Sequence, residues 1–547
     1  MRVREEAQRK RLVLLACILG SGIALLDSTV VNVALPTIQR ALGGGLAAQQ
    51  WVANVYLLTL GSLILVGGSL GDLFGERRVF TLGVGGFGVA SLLCAIAPTI
   101  ETLIAARALQ GIAGALLTPS ALAVIVNTFS ESERGPAIGS WTAWLGIATV
   151  IGPLVGGELL AIASWRWIFL INLPLVAACV ALIRIAIPPM ARPAAGGRRV
   201  DVIGGVLCAA GLGGPVFALI EQPRLGWSSL GVIGPLVAGL ALLIAFVFYE
   251  SRARDPMLPL ALFRRRNFAA GNVETFAMYA GLSILFFFLT IFLQQIGGYS
   301  PLQAGLAALP VTLVMFALSR RMGALADRFG PHFFMGAGPL LAALGLVLME
   351  RIGAPVDYAA DVLPGLLVFS LGLTMTVAPL TAAVLAGAEH EAGIASGVNN
   401  AVARVAGLLG TAAVGAAVAG SFSSSMDAHL RGTSVGRSAS AAVAQAKHLA
   451  LGLPDTHGLP AATALALRHA AEQASLHAFH LSVAIAAGLV ALGGVAGAIG
   501  VRNPSREVPA EECPGGSLVG ASRHLGRTSV PRVQAGAQPA QPTGSRA

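Results

Sequence analysis

The sequence predicts an all-α protein that crosses a membrane about fourteen times. Hydrophobic residues make up 55% of its 547 residues and charged residues only 11%, against about 25% charged in an ordinary soluble domain. Mean hydropathy is +0.76, and apolar runs long enough to cross a bilayer recur along the chain. The net charge of +10 comes mostly from arginine clusters between these runs, which indicates membrane topology rather than nucleic-acid binding.

The apolar runs divide the chain into segments. Residues 1–11 are basic, and because no cleavage site follows them we expect the first span to be retained. Later runs are centred near residues 60, 89, 114, 148, 177, 212, 240, 283, 311, 341, 372, 408 and 489. The predicted segments are a cytoplasmic N-terminus (1–11), a six-helix bundle (12–190), two inserted spans with cytoplasmic linkers (191–266), a second six-helix bundle (267–501) with an external loop (422–476), and a disordered cytoplasmic tail (502–547).

Arginine placement predicts the orientation. The even-numbered loops contain most of the arginines, and the odd-numbered loops are mostly poor in Lys and Arg. By the positive-inside rule we expect both termini to be cytoplasmic and the protein to lie in the plasma (inner) membrane. The arginines concerned are Arg77, Arg78, Arg134, Arg192, Arg198, Arg199, Arg252, Arg264, Arg265, Arg266, Arg320, Arg321 and Arg328.

An internal repeat supports two related halves. The pattern G-x-L-x-D-x-F-G from Gly68 to Gly75 recurs from Gly323 to Gly330, an offset of about 255 residues. A unit of six spans occupies fewer residues than this offset, so the remainder corresponds to the two inserted spans.

Two side chains in the N-terminal half form a predicted ion pair inside the membrane. Asp27 lies well inside the first span, where a carboxylate must be paired or protonated, so it is a candidate proton carrier. Arg107 in the fourth span cannot shed its proton and needs an anion. We expect Asp27 to supply it, either as a proton-coupling pair or as a fixed structural ion pair.

A further carboxyl group, Glu274, lies early in the ninth span and has two readings. It is either a second carboxylate in a central cavity or a solvated residue at the cytoplasmic mouth, and the sequence favours neither. We expect Asn32, Gln110 and Asn272 to line the substrate cavity.

Small residues mark the predicted gating and packing surfaces. In the fifth span, Gly146, Pro153 and Gly156 or Gly157 recur at helical spacing, which predicts one face built either to slide or bend against another helix or to form a static seam. Gly111 and Gly114 share a face with Arg107. The loop after the second span contains further candidates for gating, which are Gly68, Asp72, Gly75, Arg77 and Arg78, with Asp327 in the repeat.

These motifs resemble those of the major facilitator superfamily. Gly146, Gly152-Pro153 and Gly156-Gly157 match its exporter signature, and the following W-R-W-I-F-L-I-N-L-P is similar to the fourteen-span drug:proton antiporter branch. The segments from Leu26 to Pro36 and from Arg107 to Gly111 resemble first-span and fourth-span motifs of the same family.

The resemblance implies a fold, a function and several roles. The fold is two six-helix bundles plus two inserted helices, and the function is proton-coupled export of lipophilic drugs or antibiotics by alternating access. It also implies proton coupling at Asp27 and Arg107, and an inner-gate latch around Asp72. Glu76 departs from the basic residue usual in that latch motif, which places its charge network in doubt; the motif could also reflect topology alone.

Other classes find little support in the sequence. Gly83 to Gly88 fits G-x-G-x-x-G, but it lies inside an apolar span with no preceding strand, and no Walker-type or H-E-x-x-H motif occurs. We expect no enzyme activity, cofactor or metal, and a monomer whose partners are the lipid bilayer, protons and a small lipophilic substrate, not nucleic acid. The alternatives are an exporter dedicated to one metabolite and a non-transporting membrane receptor or scaffold.

Overall fold

A computed structural model describes residues 2–188, 200–386, 392–431 and 440–503. These residues form α-helices, short 3₁₀ and π turns and loops, with no strand among them. Fourteen of the described helical segments are long and apolar enough to cross a membrane, which confirms the predicted fold class and span count. Residues 189–199 and 504–547, which include Arg192, Arg198, Arg199 and most of the predicted tail, lie outside the described residues.

Eight long helices form the first part of the chain. A single turn, Trp167–Leu170, precedes the sixth. Their bounds are α1 (Arg2–Leu42), α2 (Leu46–Phe74), α3 (Glu76–Ile96), α4 (Ile100–Thr128), α5 (Glu131–Ile162), α6 (Asn172–Ala186), α7 (Val202–Leu225) and α8 (Leu230–Glu250).

Six long helices form the second part. A seven-residue helix, Pro301–Ala307, precedes the second of them, and a π turn, Tyr358–Val362, precedes the fourth. Their bounds are α9 (Arg266–Gln295), α10 (Leu309–Phe329), α11 (Pro331–Leu348), α12 (Leu363–Ala386), α13 (Ala392–Leu430) and α14 (Ala461–Gly500). We call α1–α6 the N-terminal half and α9–α14 the C-terminal half; α7 and α8 pack mainly on each other.

Two boundaries differ from those expected. The first helix begins at Arg2 rather than near residue 12, because the basic segment continues the same helix. The connection between the last two spans is shorter than the predicted 422–476 loop, since α13 continues to Leu430 and α14 begins at Ala461. Between them lies a short helix, Ser440–Lys447.

The repeated glycine motif makes the same turn in both halves. Gly75 joins α2 to α3 with φ of 90°, and Gly330 joins α10 to α11 with φ of 86°. Both angles lie in the left-handed region, which a residue with a side chain adopts only with strain. Glycine at these two positions therefore permits a one-residue reversal between consecutive helices. We call the side on which these turns lie, where α1 also begins, the near side, and the opposite side the far side.

The two halves are hydrogen-bonded to each other on the far side. Gln294 Nε2 of α9 donates to the carbonyl of Val33 in α1 at 2.9 Å, and Gln295 Nε2 donates to Gln39 Oε1 at 3.0 Å. In the neighbouring seam, Gln50 Nε2 of α2 donates to the carbonyl of Thr411 in α13 at 2.6 Å. Uncharged amide groups thus join the two halves on the far side.

Candidate functional site

Asp27 is the centre of a buried polar cluster in the N-terminal half. Its side chain is fully buried near the middle of α1. Arg107 Nη1 of α4 lies 2.5 Å from Asp27 Oδ2, while Gln110 Nε2 and Asn172 Nδ2 each donate to Oδ1 at 2.9 Å. The structure therefore brings together the two residues expected to pair, and it adds two neutral donors to the same carboxylate.

The guanidinium of Arg107 is held on several sides. Its Nε donates to the carbonyl of Val52 at 3.2 Å, and its Nη1 also donates to Gln110 Oε1 at 2.6 Å. The Cζ atom of Arg107 lies over the ring of Tyr56, 4.3 Å from the ring centroid. A cation so placed in a dry interior is stabilised by an anion, two oxygen acceptors and an aromatic face together.

Close packing of α2 on α4 determines where the arginine lies. A Cβ added to Gly111 would collide with Thr59 Oγ1 and lie only 2.5 Å from the carbonyl oxygen of Tyr56, so only glycine permits this approach. Gly114 packs one turn later against Leu60 and Tyr56. These contacts bring the α2 backbone within reach of Arg107.

Two members of this cluster, Asn172 and Ser91, are not among the residues predicted from the sequence. Asn172 begins α6 and is fully buried; Ser91 of α3 accepts hydrogen bonds from Gln110 at 2.9 Å and from Asn172 at 3.3 Å. A usable signal existed in the I-N-L-P segment, because an amide inside an apolar span requires a polar partner.

Gln110 corrects one expectation. The sequence predicts that it lines a substrate cavity, but it is fully buried and both ends of its amide are engaged in the ion-pair cluster. Asn272 is also buried, donates to the carbonyl of Phe268 at 2.8 Å and accepts from Asn399 at 3.2 Å. Of the three predicted cavity residues, only Asn32 is partly exposed.

The small residues of α5 form two packing surfaces rather than one. Gly152 and Gly156 face α1, where added Cβ atoms would collide with Thr29 and Val30. Pro153 and Gly157 face the Pro301–Ala307 helix instead. At Gly146 no described atom lies within 4 Å of an added Cβ. Of the residues predicted to share one face, Pro153 and Gly157 lie on one surface, whereas Gly156 lies with Gly152 on the other.

Glu274 occupies neither of its two predicted environments. It is fully buried inside the C-terminal half, beside Gly497 of α14 and Met335 of α11, so it is neither on an open cavity wall nor solvated. Neither carboxyl oxygen has a hydrogen-bond partner among the described residues.

The near-side motif is only partly engaged. Asp72 and Arg78 are exposed, and Arg77 is partly buried. Glu76, the residue that differs from the motif it resembles, accepts a hydrogen bond from Asn127 Nδ2 at 2.7 Å. This bond links α3 to α4. Gly68 lies only in ordinary contact with Pro119, since the close approach to α4 occurs at its neighbour Gly67. The side chain of Asp327 lies outside the described part of the structure.

A cleft of about 1500 Å³ lies on the far side. Glutamines of α1, α2 and α9 line it together with the segment 444–455, and none of Asn32, Gln110 and Asn272 belongs to its lining. Within the described residues no group of three His, Cys, Asp or Glu side chains could hold a metal ion.

Comparison with known proteins assigns the family. The model of the Major Facilitator Superfamily matches residues 17–411. The chain belongs to the major facilitator superfamily. It is therefore a multi-pass membrane transporter and not an enzyme, and the Asp27 cluster lies within the matched region.

Several relatives of this transporter are named for antibiotic resistance or export. It is 39% identical over 395 residues to the puromycin resistance protein pur8 of Streptomyces alboniger, covering 71% of this chain and 78% of that one. Identity is 36% over 412 residues to the tetracenomycin C resistance and export protein of Streptomyces glaucescens, covering 74% and 75%. The methylenomycin A resistance protein of Bacillus subtilis is 34% identical, covering 74% and 86%.

Solved structures agree on the fold. A bacterial homologue of the human lysosomal transporter Spinster, solved in an inward-facing and unoccupied conformation, superposes with a TM-score of 0.62. Its identity is 15%, and the match covers 91% of this chain and 99% of that one. At this sequence identity the structural similarity supports only the fold, which is the major facilitator architecture.

Proposed function

We propose that this transporter exports lipophilic antibiotics in exchange for protons, by alternating access, across the plasma (inner) membrane with both termini cytoplasmic. The observation that carries the proposal is the fully buried Asp27 carboxylate, which is held by Arg107, Gln110 and Asn172. A carboxyl group at membrane depth is costly, so its presence indicates a functional site, and proton relay is one of the functions of such groups.

The packing contacts of α1 and α5 suggest how protonation of Asp27 would affect the interface between the halves. A proton on Asp27 would remove the negative charge that holds Arg107 and so weaken the pairing of α1 with α4. Thr29 and Val30, two and three residues further along α1, pack on Gly152 and Gly156 of α5. On its other surface α5 contacts the C-terminal half through Pro153 and Gly157, which forms a continuous packed route between the ion pair and the seam.

The driving force is sufficient for useful export. Each charge that crosses the membrane contributes about 2.3 kcal/mol per 100 mV, and a tenfold concentration ratio costs about 1.4 kcal/mol. A neutral substrate exchanged for one proton would use both the potential and the pH gradient. A monovalent cation would use the pH gradient alone, because the two charges cancel.

A narrower candidate is an exporter dedicated to one compound. It is favoured by the names of the relatives, which specify puromycin, tetracenomycin C or methylenomycin A singly. The two candidates share the same proton chemistry and differ only in the breadth of the substrate range. We further propose that the protein works as a monomer and without a cofactor.

The test uses purified protein in liposomes with an internal pH dye and an imposed pH gradient. Puromycin, tetracenomycin C and methylenomycin A are added one at a time to wild type, Asp27→Asn and Glu158→Gln. Glu158 is the matched control because it is an exposed carboxylate on α5. We expect substrate-triggered proton movement in wild type and Glu158→Gln, and at least a tenfold loss in Asp27→Asn. Movement with all three compounds supports a broad exporter, movement with one supports a dedicated exporter, and movement with none contradicts both.

A further inference from the structure

The C-terminal half contains a carboxyl group that the ion-pair cluster does not use. Glu274 lies eight residues into α9, roughly 12 Å from the start of that helix, and its side chain is fully buried. Both of its oxygens lack a hydrogen-bond partner among the described residues. An ionised carboxylate left in that state would cost far more than a neutral acid.

A suitable acceptor for an acid proton lies beside it. Glu274 Oε2 and the carbonyl oxygen of Met335 both lie next to Gly497 of α14. A Cβ atom added to Gly497 would collide with Glu274 Oε2 and would lie 2.5 Å from the Met335 carbonyl oxygen. Met335 belongs to α11, and the residue four positions later is Pro339. Proline has no N–H, so the carbonyl of Met335 lacks its usual helical donor.

The carboxyl group and the carbonyl without its usual helical donor are complementary only if the carboxyl group is protonated. A carboxylate oxygen and a carbonyl oxygen are both hydrogen-bond acceptors, so they would repel each other at this site. A neutral acid has one O–H donor, and the freed carbonyl is a ready acceptor. We propose that Glu274 is a second proton carrier, held as the neutral acid because it donates its proton to the Met335 carbonyl that Pro339 leaves free.

No described cation donates a hydrogen bond to the Glu274 carboxyl group. Arg266, two turns earlier on α9, donates instead to the carbonyls of Ile499 and Gly500 at the end of α14. In the other elements around α9, Arg264 ends the short 3₁₀ turn Leu260–Arg264, His332 lies in the first turn of α11 and Arg404 lies on α13. The described part of α12 contains no ionisable residue. The ionisable residues of α14 end at His480, about 25 Å along the helix from Gly497.

Loss of this proton would have a mechanical consequence. When the proton leaves for water, the O–H···O contact becomes a carboxylate facing a carbonyl oxygen, and α9 is pushed from the α11–α14 pair. As a step in transport this rests on the proposed function, and it would add a second exchanged proton to the one at Asp27.

The first test does not depend on transport. Infrared spectra of the protein in lipid nanodiscs at pH 7 are compared for wild type, Glu274→Gln, Pro339→Ala and Glu350→Gln, an exposed carboxylate that serves as control. We expect a carboxylic-acid carbonyl band that Glu274→Gln removes and Glu350→Gln leaves unchanged. Pro339→Ala should shift that band, because the substituted alanine would supply the missing N–H to the Met335 carbonyl. Identical acid bands in wild type and Glu274→Gln would overturn the proposal, and an unshifted band in Pro339→Ala would rule out Met335 as the acceptor.

The second test measures how many protons are exchanged. With puromycin as the probe and the membrane potential clamped at zero in liposomes, the pH gradient that balances a given puromycin gradient is determined. Removing one of two exchanged protons should double the required pH gradient in Glu274→Gln. An unchanged requirement would overturn Glu274 as a carrier. If wild type moves no protons with puromycin, the proposed function fails for that substrate, and the infrared result still decides the state of Glu274.

Discussion

Among the described residues, each half of the transporter encloses one fully buried carboxyl group, and the surroundings of these two groups are opposite. Asp27 in the N-terminal half receives hydrogen bonds from a guanidinium and two amides. Glu274 in the C-terminal half receives none from the described residues and faces a carbonyl oxygen. Burial alone therefore does not determine the charge of a membrane carboxyl group. The donors around Asp27 favour its anion, and the absence of donors around Glu274 favours its neutral acid.

The two sites also differ in their relation to the seam between the halves. Asp27 lies on α1 one turn from the contacts with α5, which itself contacts the C-terminal half. Glu274 lies between α9, α11 and α14, inside one bundle. Protonation of Asp27 should therefore affect how the halves meet, whereas proton loss from Glu274 should affect packing within the C-terminal half.

The largest expected effect comes from removing the cation of the N-terminal site. Arg107→Met leaves the Asp27 carboxylate with only amide donors in a dry interior, which should cost about 3–5 kcal/mol of stability and abolish proton-driven export. The denaturation midpoint in detergent micelles and liposome transport measure the two effects. Arg184→Met, at an exposed position on α6, is the control. A fully stable, active Arg107→Met protein would show that Asp27 does not depend on this partner.

A smaller effect is expected from filling the space beside Glu274. Gly497→Ala places a methyl group against Glu274 Oε2 and the Met335 carbonyl, and such overpacking typically costs about 1–3 kcal/mol. Gly488→Ala in the same helix is the matched control, because no atom lies within 4 Å of its added Cβ. Denaturation midpoints of the two variants give the comparison. Equal midpoints would mean that α9, α11 and α14 are not packed as described.

Removing one neutral donor from Asp27 tests whether its anion depends on all three partners. Asn172→Leu leaves the bonds from Arg107 and Gln110 in place, so we expect a loss of about 1.5 kcal/mol and retained folding. The denaturation midpoint in detergent micelles measures this loss. A midpoint equal to that of wild type would show that the hydrogen bond from Asn172 to Asp27 contributes nothing to stability.

The smallest effect is expected at the near-side turn. Asp72 is exposed, so Asp72→Asn should change the free energy of unfolding by no more than about 0.5 kcal/mol, which denaturation in detergent micelles measures. If Asp72 belongs to a latch that forms only when the near side closes, the same variant should still slow transport. A large loss of stability would show instead that Asp72 already has a partner in this conformation.

Sequence patterns predicted the architecture well because each pattern reports a local physical requirement. Apolar runs of bilayer length specify the fourteen spans, and the repeated G-x-L-x-D-x-F-G segment specifies equivalent turns, since Gly75 and Gly330 share the same left-handed backbone. The pairing of Asp27 with Arg107 was also predictable, because a buried arginine requires an anion and few are available in the membrane.

The sequence could not specify which neighbour each small or polar residue meets. Gly152 and Gly157 are equally small, yet one packs on α1 and the other on the Pro301–Ala307 helix, and only the tertiary arrangement separates them. Glu274 was misplaced for the same reason: a carboxyl group early in a span is compatible with water, a cavity or a closed interior. Its interior position depends on Gly497, which is more than two hundred residues away in the chain.

Comparing exchange with accumulation in the Asp27→Asn protein tests the central claim most directly. Liposomes are loaded with puromycin, and uptake of radiolabelled puromycin is measured in two assays. In the exchange assay the pH is equal on both sides of the membrane. In the accumulation assay an imposed pH gradient drives the uptake. If Asp27 couples the proton, exchange should stay within about twofold of wild type while accumulation falls at least tenfold, since only accumulation needs net proton movement. Accumulation equal to wild type in Asp27→Asn would contradict the account.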